Sequence, residues 1–127
     1  MKYYSTKTYG HERGLSCAFR QPNATHSHCS LIHGYALSFR FVFGANELDD
    51  KNWVVDFGNL SRLKEWLEDN FDHKLAVDFD DPKREILQEL ARDNLAHIRL
   101  FDGVGCEKFA QHAFIWADEY IKKLTNN

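Results

Sequence analysis

An α+β fold is what this sequence predicts, on three observations. Tyr35 to Phe43 alternates bulky apolar side chains with smaller or polar ones, the period of two that marks a strand. Leu60, Leu63, Leu67 and Phe71 recur at helical spacing, and a second long helical pattern runs from about Cys106 to Leu124. Strand patterns come first and helical patterns follow, rather than alternating as β-α-β units.

Taken in order, Tyr3 to Tyr9 is rich in Tyr and Thr and favours a strand. Gly10 and Gly14 break that pattern, and Leu15 to Phe19 extends it. Gln21 to His28 is polar, contains Pro22 and reads as a loop. Tyr35 to Phe43 is expected to be one continuous strand, with Tyr35, Leu37, Phe39, Phe41 and Phe43 on its apolar face. Gly44 to Asn52 is a polar turn, and Trp53 to Phe57 is a short strand candidate. The first helix is expected from about Asn59 to Asn70, with Lys64, Glu65 and Glu68 off the apolar face. Asp81 can cap a second helix, with Pro82 at its first position and Ile86, Leu87 and Leu90 buried. Leu95 to Phe101 reads as a short strand. The last helix is expected to bury Phe109, Ala113, Trp116, Ala117 and Leu124. A two-stranded ribbon covers such helices poorly, so further strands or neighbouring subunits are required.

The 127 residues make a single domain, 1–127. Ten Phe, five Tyr and three Trp supply a substantial core. The formal charge of −3 and the scattered Lys and Arg give no electrostatic case for nucleic acid. No apolar run approaches the roughly 20 residues of a membrane span. Met1 to Ser5 has no apolar signal core, so the expected compartment is the cytoplasm. Three cysteines, Cys17, Cys29 and Cys106, fit free thiols better than a disulfide framework. Strands carrying Phe39, Phe41 and Phe43 would need partners, which predicts a homo-oligomer.

Chemistry-bearing residues cluster in two places. His26, His28 and His33 surround Cys29, and His and Cys are the side chains that hold zinc. The plain alternative is a polar loop that happens to be His-rich. Asp72 and His73 follow the first helix, where Asp72 can hold an imidazole proton. The plain alternative there is a capping Asp beside a surface His at the helix C-terminus.

Four segments in order add to this reading. Cys29-Ser30-Leu31-Ile32-His33-Gly34-Tyr35 resembles the Cys-x-x-x-His-Gly-His motif of the 6-pyruvoyl/6-carboxy-tetrahydropterin synthase family. Val54 to Leu60 resembles that family's Val-Val-Asp-Phe-Gly-x-Leu, and Phe71 to Leu75 its Leu-Asp-His-x-x-Leu. Gly105 to Ala110 resembles its Pro-Thr-Ser/Cys-Glu-x-x-Ala. The resemblance spans roughly Leu15 to Leu124 and is far more specific than any one motif. It implies the tunnelling fold: a β-hairpin, two main helices and another strand pair, with strands pooled into a barrel by oligomerisation. It implies active sites at subunit interfaces and 7,8-dihydroneopterin triphosphate as the substrate. It further implies a zinc ion, with Cys29 as the base for a side-chain proton and Asp72–His73 handling a second proton. Cys106 and Glu107 fall on substrate-binding positions.

The chain also departs from the pattern. The family's three zinc ligands are histidines, and here their positions hold Phe19, His33 and Tyr35. Two alternatives stand. Zinc is held by a rearranged set of His33, His28 and His26, with His11 as a further candidate; or the metal is gone and the protein binds a pterin or purine without catalysis. Tyr35 would ligate only as a phenolate, uncommon with a parent pKa of about 10. The family closes with a strand pair whose glutamate anchors the pterin ring. This sequence ends at Asn126-Asn127 after its last helix, so that pair is expected to be missing, and Glu107 matches a different family glutamate.

Overall fold

The computed structural model describes residues 2–125, so expectations about Asn126 and Asn127 at the chain's end lie outside the described residues. Strand β1 (Tyr3–Tyr9) pairs antiparallel with β4 (Phe39–Ala45), from Tyr3↔Ala45 to Tyr9↔Phe39. Strand β2 (Leu15–Phe19) pairs antiparallel with β3 (His33–Leu37), from Leu15↔Leu37 to Phe19↔His33. The two ladders are halves of one bent hairpin. Gly10 to Gly14 is looped out on one side against Ser38 alone on the other. The insertion contains a short 3-10 turn, His11–Arg13, closed by Gly14 at φ 70°, a left-handed backbone that favours glycine. The His11 ring ties it to the Ala36 carbonyl at 2.7 Å.

The expected single strand Tyr35–Phe43 is therefore broken at Ser38, because the partner strand carries the insertion. The insertion keeps the pleat in phase: Tyr9 and Leu15 are both buried, as are their partners Phe39 and Leu37. Phe39 is thus a core residue, and Phe41 and Phe43 pack against the core rather than standing free. Val42 and Tyr4 are the large apolar side chains this ribbon exposes.

Trp53 to Phe57 is not a strand. The Asp49 carboxylate accepts from the N–H groups of Lys51 and Trp53, each at 2.9 Å, and Asp56 accepts from Gly58 N–H at 2.8 Å. These local bonds hold the segment in turns and outcompete its β-propensity. A 3-10 turn, Phe57–Leu60, then leads into α1 (Ser61–Phe71), which buries Leu63, Leu67 and Phe71.

An unexpected strand, β5 (Lys74–Asp78), follows α1 and pairs parallel with β2. Helix α2 (Arg84–Arg92) leads on to β6 (His97–Phe101), parallel to β5. The four-stranded sheet has the order β3-β2-β5-β6. The α+β reading is thereby corrected in one respect: β5, α2 and β6 form a β-α-β unit. Leu75-Ala76-Val77 is buried on both faces, so it lacks the alternation that exposes a strand in a sequence. The last helix, α3, is Cys106–Thr125.

Around β2 and β5 both faces of the sheet are covered, while the edge strand β3 is largely exposed. Leu63, Leu67 and Phe71 of α1 and Phe109, Ala113 and Ala117 of α3 pack on one side with Tyr9, Leu15, Cys17, Phe19 and Ala76. Leu75 and Val77 face Leu87 of α2 on the other. Phe71 is fully buried, with Phe39, Phe101 and Phe109 at ring separations of 5.0 to 5.4 Å. Burying such a ring contributes roughly 2–3 kcal/mol. Two expected core positions are exposed instead, Ile86 on α2 and Leu124 near the end of α3. Among the described residues no helix is long and apolar enough to cross a membrane.

Candidate functional site

Strand β2 organises the chemistry-bearing residues, one group at each end. At its start, the Ser16 N–H donates to the Asp72 carboxylate at 3.1 Å, and the His73 N–H donates to the Ser16 carbonyl at 2.6 Å. Asp72 caps the C-terminus of α1, and His73 follows with φ 56°. That left-handed conformation strains a non-glycine residue by roughly 1–2 kcal/mol. It also turns the imidazole back onto its neighbour: Nδ1 lies 2.8 Å from Asp72 Oδ1. Adjacent side chains on a regular helix do not meet this way; the helix end makes it possible. The His73 side chain is 79% exposed, with Asp72 more sheltered at 27%. An Nδ1–H donated to the carboxylate leaves Nε2 with its lone pair outward. The pair opens on a groove of about 700 Å³ that also takes in Trp66, Trp116, Arg62 and Lys74. Trp66 and Trp116 stack there at 5.3 Å.

At the far end of β2 the β2–β3 connection carries Cys29. A 3-10 turn spans His28–Ser30, with the Ser27 hydroxyl accepting from Cys29 N–H at 2.9 Å. The Gln21 N–H donates to the Cys29 carbonyl at 2.8 Å, and Arg20 donates to the Ser30 carbonyl at 3.1 Å. Cys29 is half-buried, while His26 and His28 are exposed. His26 lines a small cleft with Gln21, Asn23, Asp78 and Val104. Cys106 and Glu107 are exposed at the start of α3. Cys17, on β2 itself, is buried, and burial pushes its thiol up to about 11.

One electrostatic feature escaped sequence reasoning. Arg20 grips Asp81 with two hydrogen bonds, 2.8 and 3.1 Å, and the Asp81 side chain is only 1% exposed. Burial works to raise that carboxyl, but the guanidinium and the Lys83 N–H at 2.8 Å outweigh it and hold it below the usual carboxylate range. The capping role expected for Asp81 is present in the Lys83 bond, although α2 starts two residues after Pro82, at Arg84.

The two groups do not meet within one chain. Ser16 anchors Asp72–His73, and the Cys29 loop lies beyond Phe19. At about 3.3 Å per strand residue the separation exceeds roughly 10 Å.

The family motif implies zinc, and the donor set does not fit it. His33 Nδ1 lies 2.7 Å from the Leu31 carbonyl, which leaves Nε2 as a ligand atom. The groups beside that ring are aromatic: Phe19 at 4.8 Å and Tyr35 at 5.1 Å between centroids. Among the described residues no three His, Cys, Asp or Glu side chains gather closely enough to hold a metal ion. The set His26, His28 and His33 is therefore not assembled, and the bonds from Arg20 and Gln21 pin the loop that would have to refold. Protein purified without chelator or added metal is expected to carry far less than a full zinc equivalent. His26→Ala with His28→Ala should leave that content unchanged. A full equivalent in metal analysis, lost with His33→Ala, would overturn this.

The family model for 6-pyruvoyl tetrahydropterin synthase matches residues 10–126. A 6-carboxy-5,6,7,8-tetrahydropterin synthase of Rickettsia conorii is 37% identical over 54 residues, which cover 42% of this chain and 39% of that protein. The enzyme of the same name from Bacillus subtilis is 28% identical over 90 residues, 71% of this chain and 60% of that one. The alignments thus span 39% and 60% of the two relatives, less than two thirds of either. The fold is similar to the crystal structure of an uncharacterized protein from Wolinella succinogenes, with a TM-score of 0.51 and 21% identity over 73% of this chain and 54% of that chain. With the family model covering nearly the whole sequence, the chain belongs to the 6-pyruvoyl tetrahydropterin synthase family.

Proposed function

We propose that the protein is a 6-carboxy-tetrahydropterin synthase-like carbon–carbon lyase acting on 7,8-dihydroneopterin triphosphate, on a route to 7-deazaguanine compounds such as queuosine. The observation that carries the reading is the Asp72–His73 contact. A strained backbone aims an exposed imidazole at a carboxylate 2.8 Å away, and strain of this kind is characteristic of working sites. Asp72 fixes the tautomer, and Nε2 then takes or returns a proton. Cys29 is the base for the substrate's side-chain proton, and Cys106 and Glu107 contact the substrate from the start of α3. Since Cys29 and His73 lie at opposite ends of β2, the working site is composite, with Cys29 from one copy and Asp72–His73 from another. That requires a homo-oligomer.

A second reading is a non-catalytic pterin- or purine-binding protein of the same fold. Phe19, His33 and Tyr35 favour it, since their packed rings stand at the positions of the family's three ligands. Incubation of the purified protein with 7,8-dihydroneopterin triphosphate separates the two. Triphosphate release that His73→Ala abolishes is expected. Saturable binding with no release would sink the enzyme reading and favour the second.

A further inference from the structure

Arg20 and Gln21 sit where β2 ends and make contacts to three separate segments. Arg20 Nε and Nη2 span both oxygens of Asp81 at the head of α2, and Nη1 reaches the Ser30 carbonyl. Gln21 N–H holds the Cys29 carbonyl, and its side-chain amide donates to the Val104 carbonyl at 3.3 Å, just before α3. Gly105 completes the joint. Its φ is 119°, and a Cβ there would fall 2.6 Å from Gln21 Nε2, so only glycine admits the amide. The carbonyls of Cys29 and Ser30, flanking the thiol-bearing turn, are thereby tied to the starts of both α2 and α3.

We propose that Arg20 and Gln21 are positioning residues that fix the Cys29 loop, Arg20 against the start of α2 and Gln21 against the start of α3, where Cys106 and Glu107 stand. The inference deepens the functional reading above and rests on it for the role of Cys29. The geometry of the joint does not depend on that reading. The guanidinium suits the task because one planar fork serves a carboxylate and a carbonyl at once; a lysine ammonium is a point charge and cannot. The Asp81 end is buried and anchors the fork, and the partly exposed Arg20 stem carries the anchoring to the loop.

The test is alkylation by iodoacetamide, with each cysteine followed by peptide mass spectrometry. Cys17, buried in the core, reports global opening, Cys106 reports the exposed start of α3, and Cys29 reports the loop. The key variant is Arg20→Met with Asp81→Leu, which removes both charges together and so leaves neither one buried and unpaired. Arg20→Lys is the conservative comparison. The expected result is about tenfold faster alkylation of Cys29 in the double variant, with Cys17 still protected. Arg20→Lys should lie nearer the double variant than the wild type. An unchanged Cys29 rate would overturn the proposal. So would Cys17 becoming labelled in step with Cys29, since the pair would then serve stability alone. Where triphosphate release is measurable, kcat should fall with KM nearly constant. A protein without turnover that still shows the selective Cys29 response would sink the enzyme reading and leave the joint standing.

Discussion

Chains carrying Cys29→Ala and chains carrying His73→Ala, each inactive alone, are expected to regain about a quarter of wild-type triphosphate release when unfolded, mixed equally and refolded together. The argument is geometric. Asp72–His73 is bonded to Ser16 at one end of β2, and Cys29 to Gln21 beyond the other. No rotamer of either side chain closes a gap of more than roughly 10 Å set by the strand itself. On the proposed reading, a site that uses both groups draws them from two copies. In a random mixture a given site receives an intact Cys29 half the time and an intact His73 half the time, hence the quarter. Either single variant mixed with the doubly substituted chain should stay inactive, because no interface can then hold both groups. If the two single variants assemble normally and recover nothing, the composite site is wrong.

What the sequence revealed depended on how far a signal reaches along the chain. Leu63, Leu67 and Phe71 show their helix because a buried stripe repeats locally, and Phe109, Ala113 and Ala117 do the same. Strand β5 was hidden because Leu75, Ala76 and Val77 are buried on both faces, which erases the period of two. Trp53 to Phe57 reads as a strand because Trp, Val and Phe favour strands; the aspartates at 49 and 56 decide otherwise through local hydrogen bonds that hydropathy cannot register. For the candidate site, motifs named Cys29, His33, Asp72 and His73 as residues worth following. Nothing in the spacing told that β2 would hold two of these groups apart. The Arg20–Asp81 pair was invisible for a simpler reason, since its members are 61 positions apart and neither belongs to a periodic pattern.

The second large effect concerns the thiols. Cys29→Ala is expected to lower kcat by about a thousandfold, within the range for loss of a positioned base, while Cys106→Ala, which removes only a substrate contact, raises KM and changes kcat by less than about threefold. The three cysteines differ by environment. Cys17 is buried beside β5, and its thiol, pushed up to about 11, keeps its proton at neutral pH and cannot act as a base. Cys106 is exposed at the first position of α3, open to solvent and substrate, so it is the competitor that must be tested. Cys29 alone sits in a turn whose carbonyls and N–H are bonded on both sides, to Ser27, Gln21 and Arg20, which holds a reacting atom in place. Cys17 gives a separate signature. Its folded pKa lies above the unfolded value of about 8.5, so its contribution to stability is intact below that pH and drains away as pH rises toward about 11. Cys17→Ala should therefore flatten part of the alkaline loss of stability, with Tyr9, also raised by burial, retaining its share. Full turnover in Cys29→Ala with loss in Cys106→Ala would move the base to the head of α3 and remove Cys29 from the chemistry.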